Sequence, residues 1–264
     1  MERACRRNWL GAVVLGMAAM VVGWSAGAGA AGFRTITFPS EDGLAVTADL
    51  YRAPQAGATF IILYHRAGWS RGEFREIAPR LAAMGYNCLA VDQRSGYAIN
   101  GVVNETAMRA ARAGKAMDFL AAYQDMEAAL EYVRRKLRAR KVVVWGSSYS
   151  ASLVLILAAH HPSEVAAVVA FSPGEYFTKF GKSPHLIRDG VRGLEAPVFI
   201  TSARSEAARW REIFQAIPSR RKVSFLPQGA EGVHGSQSLW STTPGHRQYW
   251  RAVTDFLRRN APPQ

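Results

Sequence analysis

From residue 60 onward, short apolar runs alternate with longer runs of helical periodicity, and no other feature of the chain constrains its fold as strongly. The runs "TFIILYH" (59–65), "NCLAVD" (87–92), "KVVVW" (141–145), "VAAVVAFS" (165–172), "PVFITS" (197–202) and "KVSFLP" (222–227) are strand-length and carry Val, Ile and Phe. Those residues favour pleated, buried backbone. Between them, a helix over 72–85 places Phe74, Ile77, Leu81 and Met84 on one face, and one over 125–137 aligns Met126, Leu130, Val133 and Leu137. Further helices are predicted over 149–161, 206–217 and 247–259. Ser70 and Glu73 have the spacing of a capping box at the start of the first helix. Apolar strands joined by helices build a mostly parallel central sheet with helices on both faces. Upstream, "FRTITFP" and "LAVTADLYR", separated by "SEDG", predict a β-hairpin.

The chain has 264 residues, 49% of them hydrophobic, which excludes fibrous and disordered classes and is enough for one sizeable core. No internal repeat, long low-complexity stretch or Pro/Gly-rich linker divides it after residue 31. Residues 1–30 read differently. Arg3, Arg6 and Arg7 precede sixteen mostly apolar residues, Trp9 to Trp24, and then small residues with A-x-A patterns ending at Ala28 or Ala30. That order predicts a secretory signal peptide over 1–30, export after cleavage, and one domain over 31–264. Sixteen residues rich in Gly and Ala fall short of the roughly 20 that span a bilayer. Cys88 is then the single cysteine of the mature chain, so no internal disulfide forms. Lys and Arg number 33 against 20 Asp and Glu; without Arg3, Arg6, Arg7 and Glu2 the mature chain holds 30 against 19, or +11. A charge of that sign allows weak association with an anionic envelope surface. No nucleic-acid motif accompanies it, and the densest run, "RRKLRARK" (134–141), ends a helix, where cations offset the dipole.

In parallel sheets of this kind ligands bind at the carboxyl ends of the strands. There, "VVVWGSSYSAS" (142–152) turns from an apolar strand into a helix at Gly146-Ser147-Ser148-Tyr149-Ser150. This is the context of a G-x-S-x-G nucleophile elbow, which needs small residues two before and two after the nucleophile. Gly146 and Ser150 give those flanks to Ser148 and not to Ser147. The following helix N-terminus favours developing negative charge beside the hydroxyl. A serine nucleophile needs a base and an orienting acid, in the chain order Ser, acid, His. His234, in the glycine-flanked "EGVHGSQSL", is the candidate base; His246 in "TPGH" is the rival, but it opens the last helix. His160, His161 and His185 lie too early or on the wrong element. Adjacent His160 and His161 point about 100° apart and make a poor metal pair. Glu206, in the loop after "PVFITS", is the candidate acid, with Glu175 in "SPGEYF" as the alternative. An oxyanion hole takes one N–H from Tyr149, next to the serine, and a second from "YHRAG", where Ala67 or Arg66 donates.

On "LYHRAGWSRGEFREIAPRLAAMGYNCLAVDQRSG", "VVVWGSSYSAS", "PVFITSARSE" and "EGVHG", residue 33 onward resembles the α/β-hydrolases, close to exported serine hydrolases similar to dienelactone-hydrolase-like proteins. The chain reads His65-Arg66-Ala67-Gly68 where many relatives read H-G-x-G, and it has Glu206 where they often have Asp. Dienelactone hydrolases proper use a cysteine nucleophile, so their substrate does not transfer to Ser148. The resemblance implies an α/β-hydrolase fold without a separate lid domain and two-step acyl transfer on a small-molecule acyl substrate. Ser148, His234 and Glu206 then form the triad, Tyr149 and Ala67 the hole, and no metal or organic cofactor is needed. About two dozen residues separate the strands ending near Ser172 and starting near Pro197, room for a loop or short helix. The segment "QRSGYAINGVVNETAMRAARAGKAMDF" (93–119) reads either as a partial lid hinged at Gly96 and Gly101 or as a surface excursion. The fold also serves as a non-catalytic binding module, and a basic exported protein of that kind would simply adhere to the envelope.

Overall fold

The computed structural model describes residues 32–55 and 58–263. The predicted signal segment, residues 1–30, lies outside them. Among the described residues, ten strands and seven α-helices occur in the order β1 (Phe33–Pro39), β2 (Ala45–Tyr51), β3 (Phe60–Tyr64), α1 (Ile77–Ala83), β4 (Asn87–Val91), β5 (Ala98–Ile99), β6 (Val102–Val103), α2 (Glu105–Arg112), α3 (Tyr123–Glu131), β7 (Val142–Ser147), α4 (Tyr149–His160), β8 (Ala167–Phe171), α5 (Leu186–Gly190), β9 (Val198–Thr201), α6 (Ala207–Ala216), β10 (Lys222–Phe225) and α7 (His246–Asn260). Eight strands form one sheet in the order β1-β2-β4-β3-β7-β8-β9-β10. The expected hairpin, β1 with β2, pairs antiparallel and joins β4 antiparallel; from β4 to β10 every pairing is parallel. This is the mostly parallel sheet that the alternation predicts. Among the described residues no separate lid domain is present, and no helix is long and apolar enough to cross a membrane.

Alternation along each strand divides the core into two layers. Ile61, Leu63, Cys88, Val143, Trp145, Val169 and Phe199 pack with α1 and α7, whereas Ile62, Tyr64, Leu89, Val144, Val168 and Ile200 pack with α3, α4 and α6. A side chain such as Leu81 of α1, fully buried, is worth roughly 2–5 kcal/mol against alanine because truncation leaves a cavity. Helix α4 is apolar all round and is buried along nearly its whole length, which holds its N-terminus rigidly at the end of β7.

Three sequence expectations change. The helix expected over 72–85 splits into a 3₁₀ turn, Arg71–Phe74, and α1. The capping box does not close: the Ser70 hydroxyl accepts from the Gly72 N–H, but Glu73 turns inward and bonds Ser147 and Arg66 instead of capping the turn. Tertiary partners outcompete the local one. Segment 93–119, expected to be a lid or a plain excursion, contains β5, β6 and α2 and is riveted to the domain. Arg94 binds Asp125 and Asp42, Asp92 accepts from the Glu105 N–H, and Asn104 caps α2 while donating to the Gln93 carbonyl. Gly96 is no hinge: a Cβ there would sit 2.0 Å from the Trp69 carbonyl oxygen. Gly101, at the tip of the β5–β6 turn with φ +70, does have open space around it. Between β8 and β9 the chain makes α5 and two single 3₁₀ turns, in keeping with a short connection.

Candidate active site

Ser148 is the single residue between β7 and α4, at φ 62 and ψ −123. So left-handed a conformation strains any residue other than glycine, and it persists because the strand and the buried helix on either side leave no other path. Gly146 admits the turn, since a Cβ there would lie 2.2 Å from the Ser150 carbonyl oxygen. At the other flank Ser150 takes the place of the commoner glycine because its hydroxyl is used: it donates to the His65 carbonyl at 2.6 Å and accepts from Gln93 Nε2 at 2.6 Å. The elbow register is the one that favours Ser148, and Ser147 points away into the core.

The structure brings three of the predicted residues together from three strand ends. Ser148 Oγ lies 2.7 Å from His234 Nε2, and His234 Nδ1 lies 2.5 Å from Glu206 Oε1. This geometry fits a neutral imidazole that donates from Nδ1 to Glu206 and accepts the serine proton at Nε2. Glu206 also accepts from Ser172 Oγ at 2.7 Å and faces Arg209 Nη1 at 3.5 Å. Burial would raise the Glu206 carboxyl, but the bonds from His234 and Ser172 and the Arg209 charge outweigh it, so it ionises below the usual carboxylate range. Ser172 in turn accepts from the Gly235 N–H at 2.9 Å, which fastens the histidine loop to the acid. Tyr176 donates to the Ser172 carbonyl at 2.7 Å.

The alternatives are occupied elsewhere. Glu175 accepts from the Ile187 and Arg188 N–H groups at 2.9 and 2.8 Å and holds the start of α5. His246 Nδ1 donates to the Thr243 carbonyl at the first turn of α7, His160 bonds Tyr123, and His161 lies between Glu127 and Glu164. On the loop after β3, the Arg66 N–H, one of the two candidate hole donors, is taken up by Glu73 at 2.8 Å. Tyr149 opens α4, where the first N–H groups have no intrahelical acceptor. His65 is fully buried; burial pushes its imidazole down to about 4, so it stays neutral, donating from Nδ1 to the Arg66 carbonyl and accepting the Gln93 N–H at Nε2. That exchange fixes the loop's path where many relatives have H-G-x-G. Beside the serine, Phe119 stacks on Tyr149 at 4.3 Å between centroids, and Arg66 covers Trp69, which stacks on Trp240.

Sequence reasoning missed Ser172, Tyr176, Ser236 and the inward role of Glu73. Ser172 carried one usable signal, its place directly at the carboxyl end of a buried strand, beside the elbow's strand.

The alpha/beta hydrolase fold family profile matches residues 59–252. Among curated proteins, the quorum-quenching protein AidA of Acinetobacter baumannii is 30% identical over 142 residues, covering 52% of this chain and 43% of that protein, less than half of its length. Among solved structures, a dienelactone hydrolase from Anabaena variabilis superposes with a TM-score of 0.67 at 15% identity over 87% of this chain and 98% of its own. An esterase from Pyrococcus furiosus does so with a TM-score of 0.67 at 18% identity over 87% and 93%. At those identities the two structures share the fold. With the family profile spanning β3 to α7, strand order and elbow alike place this chain in the α/β-hydrolase fold family.

Proposed function

We propose that the protein is a serine hydrolase that cleaves a carboxylic ester or related acyl bond through an acyl-enzyme on Ser148. The observation that carries this reading is Ser148 Oγ, held at a strained elbow 2.7 Å from His234 Nε2, whose other nitrogen lies 2.5 Å from Glu206. In the first step His234 Nε2 takes the Ser148 proton as Oγ bonds the acyl carbon, and the carbonyl electrons move onto oxygen. The Ala67 and Tyr149 N–H groups receive that oxyanion, and Glu206 steadies the imidazolium. Collapse expels the alcohol, which takes the proton from His234. A water then gives a proton to His234, attacks the acyl carbon and releases the acid, and Ser148 regains its proton.

Export belongs to the same proposal, on the strength of the basic head and apolar run of residues 1–30. The test is labelling of the purified protein by a fluorophosphonate, which requires an activated serine. Ser148→Ala should abolish labelling and lower kcat/KM on short p-nitrophenyl esters by roughly 10⁴-fold or more, with an unchanged circular dichroism spectrum. Labelling that persists in the variant, or is absent from the parent, overturns the reading and favours a binding module.

A further inference from the structure

The acyl-transfer steps leave one fully buried carboxylate beside the elbow unused, Glu73. It sits on the 3₁₀ turn after the loop that carries Ala67, and its two oxygens reach two other parts of the site. Oε2 accepts the Arg66 N–H at 2.8 Å, and Oε1 accepts the Ser147 hydroxyl at 2.6 Å. Ser147 Oγ accepts in turn the Ser236 N–H at 2.9 Å, two residues beyond His234. The approach of that loop depends on Gly235, at φ 76, because a Cβ there would stand 2.4 Å from Ser147 Oγ. Arg66 adds a second strut by donating from Nη1 to the His234 carbonyl at 3.3 Å.

The proton inventory distinguishes the two states of Glu73. The Arg66 and Ser236 N–H groups can only donate, and the Ser147 hydroxyl has one hydrogen to give. A Glu73 carboxylate accepts from both Arg66 and Ser147. A carboxylic acid keeps the Arg66 bond but has to donate its own proton to Ser147 Oγ, which turns the Ser147 hydrogen away from it.

We propose that Glu73 is a positioning residue: its carboxylate ties the loop bearing Ala67 and, through Ser147, the loop bearing His234 to the strand that ends at the nucleophile. One buried charge thereby sets the oxyanion donor and the base relative to Ser148. The inference rests on the acyl-transfer reading of the same site. Burial pushes the Glu73 carboxyl up to about 7, against the bonds from Ser147 and Arg66, so the tether passes between its charged and neutral forms near neutrality. The charged and titratable groups facing it are Arg66 from the loop after β3, Tyr149 from α4 and, across Gly235, His234 from the loop after β10.

Hydrogen–deuterium exchange and ester hydrolysis on the full chain decide the matter. In Glu73→Gln the segments containing Arg66 and Ser236 should both exchange roughly tenfold faster, with the β1–β2 hairpin unchanged, while Ser147→Ala should loosen the Ser236 segment alone. Glu73→Gln should lower kcat by roughly tenfold with KM nearly constant. Its acid limb in kcat should lose the ionisation of Glu73 near neutrality, since the amide cannot titrate. In the parent protein, protection of both segments, corrected for intrinsic exchange, should change together as the Glu73 carboxyl titrates between about pH 6 and about pH 8, a reading that needs no substitution. Unchanged exchange at either segment in both measurements, or an unaltered pH profile in the variant, overturns the role. The exchange arm depends on no catalytic event, so it rules on Glu73 even where fluorophosphonate labelling fails and removes the acyl-transfer reading.

Discussion

Two serines that sequence reasoning left in the background hold the histidine loop from opposite sides. Ser172 links the Gly235 N–H to Glu206, and Ser147 links the Ser236 N–H to Glu73. An imidazole on a glycine-rich loop needs such fastening, because a shift of about an ångström costs on the order of 100-fold in rate. Removing one fastening should show directly. Ser172→Ala strands the Gly235 N–H and takes a donor from Glu206, so kcat should fall about tenfold with KM little changed in saturation kinetics. Glu206→Gln should lose orders of magnitude in kcat, since an amide neither sets the tautomer nor stabilises the imidazolium. Glu175→Gln, by contrast, should leave kcat near normal and cost about 1 kcal/mol in urea unfolding, because Glu175 accepts two N–H groups at the start of α5. A large kcat loss at Glu175 with none at Glu206 would reverse the assignment.

At the scale of elements, the elbow and segment 93–119 show how glycine serves opposite ends. Gly146 and Gly96 are places where no side chain fits, whereas Gly101 is a place where only the backbone conformation is special. A hinge would make Gly96 and Gly101 alike in their effect on turnover. Close packing makes them differ in stability: Gly96→Ala forces the Trp69 carbonyl, Asn104 and His65 apart and should cost about 1–3 kcal/mol, and Gly101→Ala about 1 kcal/mol for its positive φ. Thermal denaturation of the pair checks this. The same segment is stapled by Arg94 between Asp42 and Asp125, which ties the β1–β2 turn to α3. Arg94→Met leaves Asp125 buried and unpaired and should destabilise by about 3–5 kcal/mol.

For the whole molecule, buried carboxyls couple stability to pH in a definite direction. Glu73, pushed up to about 7, and Asp92, pushed up to about 6, both chiefly by burial, bind protons more tightly in the folded state than in the unfolded chain. Where the folded state holds more protons, stability falls as pH rises, here from the ordinary carboxylate range up to about 7. Glu73→Gln removes one of these couplings, so its Tm relative to the parent should climb between about pH 5 and about pH 8 in calorimetry. A difference that stays flat would mean that Glu73 does not change its proton affinity on folding. At the same scale, N-terminal sequencing of protein recovered from outside the cytoplasm should begin at Gly29 or Ala31, one residue after Ala28 or Ala30.

The sheet, the place of the elbow and the residue at its tip, Ser148, are legible in the chain alone, because strand and helix periods, the small flanking residues and the sharp turn are all local properties. Ser148, Glu206 and His234 were nameable in advance, since each lies just past a strand end and strand ends meet at one edge of a parallel sheet. What joins those strand ends is set by long-range packing. The capping box at Ser70 and Glu73 is a sound local motif that loses to partners 74 residues away at Ser147. Gly96 looks like a hinge until Trp69 is packed against it. Glu175 and Glu206 both follow strands and differ only in which donors the fold brings to them. A buried carboxylate takes whichever donors the three-dimensional packing leaves unpaired, and sequence spacing does not record those.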